Sequence, residues 1–219
     1  FRVIAPDLRG FGKSDVTSGP VTMEQFADDL AELLDAMDIH QPLAFCGLSM
    51  GGYIGWQFVQ RHRDRTSHLI QCDTRAAADT AEGKRTRLKA AESVISKGSA
   101  PLVETMMPRL FAEELLFADS SQMDQPEIVK ATREVMLNTD VEAIAAAQRG
   151  MAERPDVTEM LPNIDLPTLI VCGEHDAISP PEEMRQIADA IPGSRFVQID
   201  GAGHMAPLEK PAQFNAAIR

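Results

Sequence analysis

The chain has 219 residues, of which 21 are basic and 33 acidic, for a formal charge of −12. That length suits one large domain, or one domain carrying an insertion. Apolar residues at 44% and charged residues at 25% exclude a disordered tail, and 14 glycines with 14 prolines exclude a collagen-like or low-complexity chain. The negative charge argues against nucleic acid and against an anionic membrane surface, because phosphates need a basic face. It leaves a small molecule as the expected partner and says nothing about oligomeric state. Three cysteines, Cys46, Cys72 and Cys172, cannot build a disulfide framework. With no leader pattern, a reducing cytosol is the expectation.

Phe1–Pro6 reads as a first strand, closed by Pro6-Asp7. Thr22-Met23-Glu24-Gln25 has the pattern of a capping box, and apolar Met23, Phe26, Leu30, Leu33, Leu34 and Met37 follow at helical spacing. Pro42–Cys46 is a short apolar run without alternation, as expected of a strand covered on both faces. Met50 to about His62 reads as a helix. Ser67–Cys72, Pro167–Cys172 and Ser194–Ile199 read as further strands. Pro180–Ala190 reads as a helix with acidic residues in its first turn, and the chain stops at Arg219 inside another helical pattern. Alternating strands and helices predict an α/β fold with a doubly wound, mostly parallel sheet.

Gln41–Gln60 holds 20 uncharged residues, the length of a membrane span, with Gly47, Gly51 and Gly55 at helix-dimer spacing. Pro42, Ser49, Gln57 and the Gly51-Gly52 pair favour a buried strand and helix instead. Residues 74–161 break the strand–helix rhythm, with helical patterns and no convincing strand. They read as a helical cap inserted into a core formed by 1–73 and 162–219. Six of the 11 methionines fall there: Met106, Met107, Met123, Met136, Met151 and Met160. Helix packing accounts for most of them, and a few are candidates to line an adaptable apolar pocket.

The sharpest motif is Gly47-Leu48-Ser49-Met50-Gly51, a Gly-x-Ser-x-Gly set between a predicted strand and a predicted helix. There a tight turn holds the serine in strained backbone and exposes its hydroxyl, while Gly47, Gly51, Gly52 and Gly55 are expected to give strand and helix room to approach. The helix N-terminus beneath Ser49 favours developing negative charge. A nucleophilic serine needs a base, and the base needs an orienting acid. Asp176, in Gly173-Glu174-His175-Asp176, and His204, in Gly201-Ala202-Gly203-His204, both follow predicted strand ends, where sites gather in parallel sheets. Asp73 also follows a strand end and stays open as the acid. Glu174 and His175 are expected to point elsewhere. His40, His62 and His68 read as surface or capping residues. The absence of His-Glu-x-x-His and Cys-x-x-Cys patterns predicts no metal site, and no cofactor motif stands out. Gly12-Lys13-Ser14 fails as a phosphate loop, because Asp7 stands where that motif needs glycine. The cysteines read as small buried core residues.

The chain resembles the α/β-hydrolases. Ala5–Ser14, Gly47–Tyr53, Gly173–Asp176 and the stretch from Gly201 to Pro211 carry that resemblance in family order. Cys72-Asp73-Thr74-Arg75-Ala76 and the size of the insertion look most like the serine esterase and 3-oxoadipate enol-lactonase-like branch. The resemblance implies Ser49 as nucleophile, His204 as general base and then acid, Asp176 as its orienting partner, and the Met50 N–H in the oxyanion hole. Serine rather than aspartate at position 49 argues against epoxide hydrolase and haloalkane dehalogenase chemistry. The family normally begins with further strands and a His-Gly loop that donates the second oxyanion N–H. Neither precedes Phe1. The expectation is therefore a longer natural polypeptide, and a gap in the sheet between Phe1–Pro6 and the strand before Ser49.

The expected function is cofactor-free hydrolysis of a small carboxylic ester or lactone through an acyl-enzyme. Two alternatives stay open. The same triad could serve perhydrolysis or carbon–carbon bond hydrolysis, or the chain could be a ligand-binding homologue that does not catalyse.

Overall fold

A computed structural model describes residues 1–116 and 126–219. Four parallel strands form one sheet in the order β1-β2-β3-β4: β1 (Leu43–Leu48), β2 (Thr66–Cys72), β3 (Thr168–Gly173) and β4 (Arg195–Ile199). The registers Cys46↔Ile70, Cys72↔Val171 and Gly173↔Ile199 bring the carboxyl ends of neighbouring strands to one rim. Helix α1 (Met23–Ala36) precedes β1, and α2 (Met50–Arg61) follows it. Five α-helices and a short 3-10 helix (Thr158–Asn163) stand between β2 and β3 among the described residues: α3 (Ala81–Lys97), α4 (Ala100–Leu110), α5 (Glu113–Leu116), α6 (Glu127–Asn138) and α7 (Val141–Glu153). Helix α8 (Pro181–Ala190) joins β3 to β4, and α9 (Ala206–Glu209) and α10 (Pro211–Ala217) end the chain's described structure.

Alternating side chains of the central strands face opposite layers, as the period of a strand requires. Leu69, Ile170 and Cys172 pack with Trp56 of α2 and with Met184 and Ile187 of α8. Val171 and Ile199 pack on the other side with Ala202, Ala206 and Phe214. Helix α1 lays Met23, Phe26 and Ala27 against Ile54 and Phe58 of α2, with Ala146 of α7 in the same cluster. Helices on both faces of a parallel sheet make this a doubly wound α/β architecture.

Half of the predicted capping box forms. Thr22 Oγ1 accepts from Gln25 N at 3.2 Å, while the Gln25 side chain turns to donate to Asp29 Oδ1 at 2.9 Å. Two expectations fail at the first strands. Phe1–Pro6 forms no strand, because a strand needs a neighbour for its ladder and, among the described residues, β1 pairs only with β2. Nor is β1 covered on both faces. Ala44 and Cys46 are exposed, because the described helices that reach β1 pack on the Phe45 side. Cys46 is thus not a buried core residue, unlike Cys72 and Cys172. Among the described residues, no helix is long and apolar enough to cross a membrane.

Met107 is buried with Val103, Leu110, Phe111 and Val129, and Met106 and Met136 pack against that cluster. Met151 and Met160 pack against the two clusters beside α2. These five are packing residues; Met123 lies outside the described residues. The Gly12-Lys13-Ser14 loop closes on Asp7, whose Oδ2 accepts from Lys13 N at 3.0 Å and whose carbonyl accepts from Ser14 Oγ at 2.7 Å. A loop wrapped around a carboxylate repels a phosphate.

Candidate active site

Ser49 sits between β1 and α2 with φ 53° and ψ −113°, in left-handed backbone that a non-glycine residue rarely adopts. Backbone and side-chain bonds hold the turn, including one from Tyr53 N to Ser49 O at 3.3 Å. Ser49 N donates to Cys72 O at 2.9 Å, and Ser49 O accepts from Thr74 Oγ1 at 2.8 Å and from Gly52 N at 2.9 Å. The crossing leaves no room for side chains at two glycines. A Cβ on Gly47 would lie 2.2 Å from Gly51 O, and one on Gly52 would lie 2.4 Å from Thr74 Oγ1. Gly55 is similarly tight, with Gln71 Nε2 at 2.8 Å from a built Cβ. Gly51 departs from the expectation. A Cβ there would meet nothing within 4 Å, because it points away from the strand and only its backbone lies in the crossing. Met50 opens α2, so its N–H has no intrahelical acceptor.

His204 and Asp176 are in contact. His204 Nδ1 donates to Asp176 Oδ2 at 2.9 Å, and both side chains are buried. Asp176 Oδ1 accepts from Ile178 N at 2.7 Å and from Ser179 N at 3.0 Å. These three N–H groups stabilise the carboxylate in a place with little water. With Nδ1 as the donor, Nε2 is the nitrogen left to accept a proton. Ser49 Oγ makes no hydrogen bond among the described residues, so direct bonding links two of the three predicted residues and not the third.

Asp73 does not bond to His204. It is fully buried at φ 47°, and its Oδ1 accepts from Gly173 N at 2.7 Å. Burial pushes its carboxyl up to about 9; the Gly173 N–H opposes that rise and the nearby Asp176 charge adds to it. Glu174 turns away to accept from Gly201 N at 2.8 Å, and His175 stays half-exposed beside it. His62 caps α2 and meets Asp28 Oδ1 at 2.8 Å, His40 meets Asp38 Oδ1 at 2.9 Å, and His68 is exposed.

Among the described residues, the nearest approach to a cation site is Asp73, Cys172 and Asp176, with one ligand atom of each within 4.8 Å of the others. Their chemistry suits that role poorly. Both Asp176 oxygens are already hydrogen-bonded, burial and the neighbouring carboxyls push the Cys172 thiol up, and a metal needs deprotonated donors.

Two contacts escaped the sequence reading. Thr74 clamps the Ser49 turn from the next strand end. Glu209, inside the Leu208–Pro211 stretch, accepts from Gly203 N at 2.9 Å and from Ala112 N at 2.8 Å, tying the His204 loop to the turn after α4. Met205 N donates to Leu110 O at 2.9 Å across the same junction.

A family profile described as "alpha/beta hydrolase fold" matches residues 1–211. The chain is 46% identical to a solved thermophilic esterase from Thermogutta terrifontis, with a TM-score of 0.92 over 98% of this chain and 76% of that one. It is 30% identical to the enol-lactonase from Burkholderia xenovorans LB400, with a TM-score of 0.85 over 96% of this chain and 76% of that one. It is also 29% identical over 216 residues to 3-oxoadipate enol-lactonase 2 of Acinetobacter baylyi, covering 99% of this chain and 76% of the relative.

Proposed function

The chain belongs to the α/β-hydrolase fold family, and from that premise we propose that it hydrolyses a small carboxylic ester or lactone through an acyl-enzyme on Ser49. The buried 2.9 Å bond between His204 and Asp176 carries this reading, because an imidazole so oriented is a base waiting for a nucleophile. Its similarity to an esterase and to enol-lactonases supports the choice of bond. Esters and lactones differ only in whether the leaving alkoxide departs or stays tethered.

In the proposed reaction Ser49 Oγ attacks the carbonyl carbon while its proton passes to His204 Nε2. The Met50 N–H and the N-terminus of α2 stabilise the oxyanion. The tetrahedral intermediate collapses, the carbon–oxygen bond to the alcohol breaks, and His204 returns the proton to the leaving oxygen. Water then gives a proton to His204 and attacks the acyl-enzyme; as the second tetrahedral intermediate collapses, the bond to Ser49 Oγ breaks, His204 returns that proton to Ser49 Oγ, and the acid is released. Asp176 stays ionised and holds the imidazole in one tautomer. Residues 74–161 act as a cap that shapes the substrate pocket. The contacts of Leu110 and Ala112 with the His204 loop support that part. Three free cysteines fit a reducing cytosol.

The test is covalent labelling. A fluorophosphonate probe modifies Ser49, found by mass spectrometry of the labelled peptide, and Ser49→Ala abolishes it. Labelling that survives this substitution defeats the assignment.

A further inference from the structure

Asp73 directly follows β2, Asp176 lies three residues past the end of the neighbouring β3, and both are buried. Two carboxyl groups with oxygens within 4.8 Å in such a place do not both carry charge. The hydrogen bonds decide which one stays neutral. Asp176 collects three N–H donors, from His204, Ile178 and Ser179, while Asp73 collects one, from Gly173. Asp73 Oδ2 is buried and, among the described residues, receives no N–H or O–H donor. A bare carboxylate oxygen there would be costly, whereas a protonated one becomes a donor that needs an acceptor. The Cys172 thiol donates to Gly173 O or Ser179 O at 3.3 Å and only weakly opposes the rise at Asp73; its sulfur is a weak acceptor, whereas the Asp176 carboxylate is a strong one. The left-handed backbone at Asp73 turns its side chain into this place and is kept despite its strain.

We propose that Asp73 is a positioning residue: its outer oxygen carries a proton and donates it to the Asp176 carboxylate, fixing the carboxylate that orients His204. The proposal rests on the hydrolase reading for its consequence in catalysis, but the proton itself does not depend on turnover. Burial, which pushes Asp73 up to about 9, supports a neutral acid at physiological pH. The other titratable groups around it are Cys72 on β2, Cys172 on β3 and Asp176 after β3, with His204 behind Asp176. Glu183 of α8 adds a further acid, partly balanced by Arg75 at 3.3 Å. All the acids in this set oppose a second negative charge.

Two variants separate positioning from packing. Asp73→Asn keeps an acceptor for Gly173 N and a donor for Asp176, whereas Asp73→Leu removes both. At pH 7 the infrared spectrum of the wild-type protein shows the C=O band of a buried protonated carboxylic acid, which fades as pH rises through about 9. Asp73→Asn lacks that band. For ester hydrolysis, Asp73→Asn keeps kcat within about threefold and loses the alkaline fall in kcat near that pH. Asp73→Leu lowers kcat by about 10–100-fold with KM little changed, the scale on which outer partners of functional histidines act. A missing band, a band that survives Asp73→Asn, or an Asn variant as impaired as the Leu variant overturns the proposal. A protein that shows the band but takes no fluorophosphonate on Ser49 keeps the Asp73 proton and defeats the hydrolase reading instead.

Discussion

Glu209 Oε1 accepts a hydrogen bond from Gly203 N at 2.9 Å, one residue before His204. Its other oxygen accepts from Ala112 N at 2.8 Å, so one carboxylate spans the His204 loop and the segment between α4 and α5. Each N–H would lose its acceptor if the carboxylate were removed, and an orphaned buried donor costs about 1–3 kcal/mol. Glu209→Ala is therefore expected to lower stability by about 2–6 kcal/mol, seen as a fall in the urea midpoint. The His204 loop loosens with it, so kcat falls as well. An unchanged midpoint would show that the bridge contributes nothing net.

The two glycines of the Ser49 motif are not equivalent. A Cβ on Gly47 would sit 2.2 Å from the backbone oxygen of Gly51, which cannot yield as a side chain can, whereas a Cβ on Gly51 would meet open space. Gly47→Ala is expected to lower stability by at least about 1–3 kcal/mol, the scale of overpacking, and to suppress Ser49 labelling. Gly51→Ala keeps the fold and gains a few tenths of a kcal/mol of helix propensity, roughly up to 1 kcal/mol. Thermal melts of the two single variants, with labelling of each, check both halves.

Why some of this was legible in sequence and some was not follows from range. Apolar runs such as Thr168–Gly173 announce themselves locally, because a strand covered on both faces needs no polar side. The places of Ser49, Asp176 and His204 after strand ends follow from the same local rhythm. Phe1–Pro6 carries the same apolar character, yet a strand exists only by pairing, and pairing is a property of the neighbour. Glu209 was visible as a motif residue, but Ala112, its second partner, lies 97 residues away. Asp73 could be placed at a strand end, whereas its neutral state depends on how close Asp176 comes after folding.

Arg154 and Asp79 form a buried ion pair at 2.8 Å where the segment between β2 and β3 leaves and rejoins the sheet. The guanidinium also lies 4.3 Å from the ring centre of Tyr53 on α2 and donates to Ala77 O at 3.2 Å. Arg87 donates to the same Asp79 carboxylate from α3. Burial alone would raise the Asp79 carboxyl, but the bonds from Arg154 and Arg87 outweigh it and the net shift is downward from 3.8. A lowered carboxyl stabilises the fold above its unfolded value, and that contribution is lost as pH falls through the folded one. Arg154→Met leaves Asp79 with one partner fewer in a buried place, a loss of about 3–5 kcal/mol at neutral pH. Stability measured between pH 7 and pH 3 should fall less steeply in the variant than in the wild-type protein. An equal acid slope would mean that Asp79 is not coupled to Arg154.

Asp176→Asn tests the orienting acid without emptying its place. The amide oxygen can still accept from Ile178 N and Ser179 N, which now meet Asp176 Oδ1 at 2.7 and 3.0 Å. The amide nitrogen then faces His204 Nδ1, where a donor meets a donor unless the imidazole switches tautomer. A switched imidazole puts its hydrogen on Nε2 and has no lone pair there to take the Ser49 proton. The expected result is a fold that melts within a few degrees of the wild-type protein and a kcat lower by about 10⁴, the cost of a wrong tautomer in a serine triad. Turnover should recover in part at high pH, where hydroxide replaces the missing base. If Asp176→Asn keeps its kcat, Asp176 is not the residue that orients His204.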